Sequence, residues 1–168
     1  MANITDGSSN TIAMAEVATS IGTGTRRMWG GIARDQGTSV AVNSPILCKQ
    51  TVDASGTYKS SVVTLSESRG SRWARGTAEY MGVSTILPPN SPSCQTGIFN
   101  SAGIFSSTSR HPGGVQVLFC DASARFISQN INSGNLASPE LLKEDGASPY
   151  GIWGALGSIA GDELPGDY

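Results

Sequence analysis

Apolar residues occur in short runs separated by glycine, proline and small polar residues, and the clearest run lies between residues 109 and 128. His111-Pro112-Gly113-Gly114 ends where Val115-Gln116-Val117-Leu118-Phe119-Cys120 begins. That run is mostly apolar and rich in β-branched and aromatic types, which predicts a buried strand. Asp121-Ala122-Ser123-Ala124 interrupts it with small residues and an aspartate able to bond nearby amides, and Arg125-Phe126-Ile127 resumes it. The unit reads as a β-hairpin with a short connection.

The other runs are shorter. Thr5-Asp6-Gly7-Ser8-Ser9-Asn10 is a turn, after which Thr11 to Val17 alternates larger and smaller side chains as a strand does. A short helix capped by Ser9 or Asn10 is the competing reading, since Ala, Met and Glu favour helix. Met28-Trp29 suggests a short edge strand within a Gly- and Thr-rich loop, and strands are expected at Ser39–Val42, Ser61–Leu65 and Met81–Leu87. Pro88-Pro89-Asn90-Ser91-Pro92-Ser93-Cys94 stops the last of these and forms an extended loop. Ser138-Pro139-Glu140 has the cap, the first-turn proline and the acid that start a helix. Residues 150–157 are interrupted by glycine and read as a loop whose Trp153 plugs the core. No internal repeat is evident. The order of elements predicts an α+β fold, mostly antiparallel β-sheet with few short helices and long loops.

Composition narrows the function more than the fold. The 168 residues fit one domain, 1–168, with 139–168 an acidic, partly loop-like tail. Only 14% are charged while glycine appears 21 times, which suits a loop-rich chain. A net charge of −2 gives no electrostatic case for nucleic acid. No run approaches the ~20 apolar residues of a membrane span, and the N-terminus lacks the basic and apolar regions of an export signal. Of three cysteines, Cys48 and Cys94 lie beside proline-containing loops and are the candidate disulfide, while Cys120, inside the expected strand, reads as a buried free thiol. A disulfide implies an oxidising compartment, which conflicts with the missing signal.

Candidate chemistry is sparse, and no cofactor is called for. His111 is the only histidine, so every Ser-His-Asp triad must use it. Ser107 and Ser109 are loop neighbours, and a six-residue strand spanning ~20 Å sets Asp121 at its far end. His111 therefore orders the loop by bonding a carbonyl or carboxylate, and Asp121 the turn that leaves the strand. Asp6-x-Ser8-x-Asn10, with Glu16, is a weak calcium pattern lacking the EF-hand glycine and final glutamate; Asp6 as a turn-former is the simpler reading. Gly113-Gly114 leads into a strand, so no helix N-terminus cradles a phosphate there. Arg69, Arg72 and Arg75 surround Trp73 and precede Tyr80, a grouping that fits an aromatic or anionic ligand. The plainer account packs the arginine stems over Trp73 and pairs them with Glu67 or Glu79.

Four blocks in order, Ile4 to Ile12, Leu87 to Cys94, His111 followed after nine residues by Asp121, and Ser148 to Gly157, resemble a bacterial prepilin-type, pilin-like family of unknown function. That family is marked by a histidine, a nine-residue spacer and an Asp-Gly pair. Ala122 stands where the family has glycine, so a turn requiring positive φ there costs more in this chain. The resemblance implies a helix packed on an antiparallel sheet and an exported protein at the cell surface or outside the cell. It identifies this chain as the C-terminal globular part, without the prepilin leader and long apolar N-terminal helix. Loss of that helix implies an exposed apolar sheet face and self-association through it.

The expected function is a non-enzymatic structural or interaction module, similar to a pilin or pseudopilin head in a cell-surface or secretion filament, with copies of itself or other filament subunits as partners. The alternative is an extracellular binding module for a small polar or glycan ligand, using Trp29, Arg72, Trp73 and Arg75. A hydrolase built on His111 is a distant third reading.

Overall fold

The computed structural model describes residues 3–19, 26–65, 69–139 and 146–162. In chain order these form β1 (Ile12–Ala15), β2 (Ile32–Arg34), α1 (Ile46–Lys49), β3 (Val63–Leu65), α2 (Ala78–Met81), β4 (Cys94–Gln95), β5 (Gly103–Ile104), β6 (Gly114–Phe119), β7 (Ala124–Ser128) and α3 (Gly151–Ala155). A π-helical turn, Ser39–Asn43, precedes α1. The strands make two mostly antiparallel sheets, ordered β1-β6-β7 and β3-β2-β4-β5, and the class is α+β. No helix among the described residues is long and apolar enough to cross a membrane.

The hairpin forms as β6 and β7, paired from Gly114↔Ser128 to Leu118↔Ala124. Val115, Val117 and Phe119 point inward at alternate positions and meet Ile127, Trp153 and Leu156 in one core. β1 adds to the other edge of β6, with an irregularity in register between Ile12 and Met14. Met14 lies opposite Leu118 and Gln116 opposite Phe126, so the outer face of this sheet also carries apolar side chains.

The second core gathers Ala33, Ala41, Tyr58, Ile86, Leu87, Ile104 and Tyr150 around a disulfide between Cys48 and Cys94, whose Cα atoms are 5.9 Å apart. Cys120 is free, half-buried, and stands just past the end of β6 rather than within the strand.

Several expected elements differ. Ser39–Val42 is not a strand: β4 occupies the place beside β2, and the π-helical turn sends Ala41 and Val42 into the core. Four residues, one polar and three apolar, are too few to separate the two periods. Met81–Leu87 is not a strand either. Its start is the last turn of α2, Gly82 packs closely on Ala78, and the segment meets β5's neighbour Phe105 through Ser84, whose hydroxyl accepts the Phe105 amide while its own amide donates to the Phe105 carbonyl. Met28-Trp29 is a turn flanked by a bridge from Arg27 to Thr57. Trp153 plugs the core from a short helix, not a loop. Gly154 there fits tightly against Ser148 and Tyr150, so glycine serves packing rather than breaking the helix. The helix expected after Pro139 lies outside the described residues, as does Glu67.

The disulfide closes a loop of 46 residues in separation, which on chain entropy stabilises the fold by about 4 kcal/mol. Intact mass under non-reducing conditions should be lighter than the reduced chain by the two thiol hydrogens, with one reactive thiol after denaturation. Three reactive thiols would show that the bridge does not form.

Candidate functional site

The entry to β6 is assembled by side chains acting on backbone. The Ser109 hydroxyl donates to Gly114 O at 2.6 Å and accepts the His111 amide at 3.0 Å. Asn90, in left-handed conformation at φ 61°, accepts the Ser109 amide through Oδ1 and donates through Nδ2 to Gly114 O. The His111 imidazole reaches across to the segment leaving β1, where Nε2 lies 3.2 Å from Glu16 Oε1. Glu16 Oε2 in turn accepts the Gln116 amide at 2.8 Å. This makes a clasp: a carboxylate holds both the histidine and the strand behind it. Ser109 is buried with its hydroxyl taken up by backbone groups, so the histidine meets an acid rather than a nucleophile.

At the far end of β6, Asp121 Oδ1 accepts the Ser123 amide at 2.8 Å, closing the turn to β7. Ala122 adopts φ 68°, the left-handed region where a Cβ is strained. The same turn is joined to the N-terminal segment, because the Asp121 amide donates to Ser8 O and the Cys120 amide to Thr11 O.

Asp6 is buried, and its carboxylate accepts the amides of Gly161 at 2.8 Å and Asp162 at 3.1 Å. It anchors two ends of the described chain to each other rather than bonding its own turn. Asn10 donates its side-chain amide to Asp6 O. Among the described residues no group of three His, Cys, Asp or Glu is arranged to hold a metal ion.

The four blocks quoted above thus meet in space. Residues 5–12 bond the Asp121 turn on one side and residues 156–162 on the other, while the Leu87–Cys94 loop holds the His111 loop through Asn90 and Trp153 through Leu87.

Trp29 and Trp73 do not converge. Trp29 is half-buried in a cleft of about 570 Å³ whose walls include Met28, Pro89, Asn90, Asp53 and His111. Asp53 sits there with its carboxyl held below the usual range by the Ser55 hydroxyl, then by the Thr57 amide. Trp73 stands 84% exposed, and the arginine stems do not cover it. Arg72 and Arg75 instead stack on the Tyr80 ring, with Cζ 5.1 and 5.3 Å from its centre. Glu79 caps the Asn100 amide through Oε2 at 3.2 Å.

Arg69 is withdrawn from this surface altogether. Only 1% exposed, it donates to Ala78 O and Ser106 O and lies beside the Phe105 ring. Burial brings its guanidinium down to about 10, opposed by the nearby Tyr58 hydroxyl, which burial itself holds above the usual phenol range. The sequence shows no sign of this, because three arginines at intervals of three look alike until the chain is folded. The Glu16 partner of His111 and the Asn90 brace were likewise missed: they lie 95 and 21 residues away, beyond any local pattern.

The architecture and these contacts define an α+β module whose polar motif residues are spent on fastening loops. The chain belongs to the family described as a protein of unknown function (DUF1559), whose model matches residues 1–134. Neither the curated proteins nor the solved structures contain a match.

Ala122→Gly should raise stability by about 1 kcal/mol, the Cβ strain removed exceeding the chain entropy that glycine adds. The urea midpoint measures it, and an unchanged or lower midpoint would show that the turn carries no such strain.

Proposed function

We propose that the chain is a non-enzymatic, exported structural module, the head of a pilin-like or pseudopilin-like subunit that assembles at the cell surface. One observation carries the reading: a groove of about 1030 Å³ runs beside β1, lined by Ile12, Met14, Met81, Val83, Ile86 and Ile159 among others. Met14 is 68% exposed and Met81 and Ile159 are about half exposed, an apolar concentration that an isolated surface seldom keeps. A helix or a neighbouring subunit seated there would bury it. The internal disulfide suits an oxidising compartment, and family membership is compatible with the pilin-like resemblance of the four blocks.

The test is to express the complete gene product in its own cell and locate it. Surface fractions and filaments should contain the protein, and Met14→Lys with Met81→Lys should remove it from filaments without lowering its abundance. A protein confined to the cytoplasm, or filaments that persist unchanged with the double variant, would overturn the proposal.

A second reading, an extracellular module binding a polar or glycan ligand, is favoured by the Trp29 cleft, which offers an aromatic wall with Asn90, Asp53 and His111 at hand. On a glycan array the protein should then show saturable binding that Trp29→Ala reduces by about tenfold, the loss of one stacking contact. Absence of any binding on the array would remove this reading.

A further inference from the structure

Around Tyr80 the fold gathers cationic and aromatic groups, several of which stay exposed. Arg72 and Arg75 are exposed and share the Tyr80 ring, and Trp73 projects between them in sequence. Glu79, next to Tyr80, accepts the amide of Asn100, the residue after Phe99, and both Glu79 and Tyr80 act electrostatically on Arg34. Phe99 is 70% exposed and covers Arg34, whose guanidinium carbon is 4.5 Å from the ring centre. Arg34 is nearly buried, and its Nε and Nη2 have no hydrogen-bond partner among the described residues. Among the described residues no carboxylate lies within ion-pair distance of Arg34, Arg72 or Arg75, and the one carboxylate that acts on Arg34, Glu79, does so from farther away. A positively charged, aromatic surface of this kind is complementary to an acidic segment that also carries apolar side chains.

The chain itself contains such a segment. Residues 1–138 have ten Lys and Arg against seven Asp and Glu, whereas residues 139–168 have one Lys against six acids. Asp162-Glu163-Leu164-Pro165-Gly166-Asp167-Tyr168 combines three acids with Leu, Pro and Tyr. We propose that the surface formed by Arg72, Trp73, Arg75 and Phe99 docks residues 162–168 of a second copy. The acids meet Arg72 and Arg75, and the apolar side chains cover Trp73 and Phe99. The contact joins two different surfaces, so it repeats head to tail instead of closing into a symmetric pair. It rests on the reading of the chain as a self-assembling module, and supplies a contact separate from the groove beside β1.

The synthetic peptide of sequence 162–168 has no tryptophan, so its binding to the full chain is read by fluorescence of Trp73 at low salt. A saturable change is expected, absent in Trp73→Phe. It should weaken by about tenfold in R72E/R75E, as two exposed ion pairs are lost, and similarly in 1 M salt, where charges are screened within about 3 Å. Both arginines are exposed, and circular dichroism checks that the variant folds. A peptide that does not bind, or binds R72E/R75E equally well, overturns the proposal, as does saturable binding of single-stranded DNA or phosphatidylserine vesicles without a response to the peptide. Light scattering on the full chain decides whether the contact is between copies. R72E/R75E and E163K/D167K should each fail to associate alone and associate when mixed; a wild-type chain that stays monomeric while the peptide binds would place the contact within a molecule and overturn it. Because the peptide titration needs neither the groove nor a filament, a negative result here leaves the surface-assembly reading standing, and cytoplasmic confinement leaves this contact measurable.

Discussion

From inside the core, the indole N–H of Trp153 donates to the carbonyl oxygen of Leu87 at 2.8 Å, and the two sheets depend on what that contact joins. The strands of the two sheets are only 2 to 6 residues long, so each sheet relies on packing against other elements. Trp153 is fully buried beneath β6 and β7, whereas Leu87 belongs to the core around the disulfide. One side chain therefore fills the first core and satisfies a buried backbone acceptor of the second. Tyr150, a turn earlier, packs in that second core and donates its hydroxyl to Ser138 O. Short helix α3 is in this sense the connector between the halves.

The polar residues that attract notice as chemistry mostly serve the same end. Ser109 with Asn90 and Asp6 with Gly161 each place a side chain where loop backbone would otherwise lose its water without a partner, while His111 with Glu16 and Asp121 with Ser123 fasten exposed loops. A loop-rich protein has many such groups, and regular ladders cannot reach them. Arg69 is the extreme case, a guanidinium taken into the core to bind two carbonyls. Burying a charge this way is costly, and it holds a loop and α2 in one arrangement.

What the fold does not use lies on its surface. The groove beside β1 and the outer face of its sheet expose methionine, isoleucine and phenylalanine, and the opposite chemistry, arginine with tryptophan, collects around Tyr80. Two unlike surfaces specify direction as well as contact, which a single self-complementary surface does not.

The hairpin of residues 114–128, the strand near residue 12, the α+β class and the role of Trp153 in the core could be read from the sequence, since each rests on local alternation, a turn former or a single large apolar side chain. The resemblance, which expects glycine at 122, pointed to a turn of different shape, whereas the fold keeps Ala122 left-handed at φ 68°. The turn at Ser39–Asn43, the irregular course of residues 82–87 and the separate fates of Arg69, Arg72 and Arg75 were decided only by tertiary structure. In each case the local pattern fits two conformations or two environments, and the choice belongs to neighbours far along the chain: β4 beside β2, Phe105 beside Ser84, Ser106 beside Arg69. His111 and Asp121 mark the two ends of one strand in the sequence, but only the fold shows that Glu16 and Ser8 fasten those ends to the N-terminal segment.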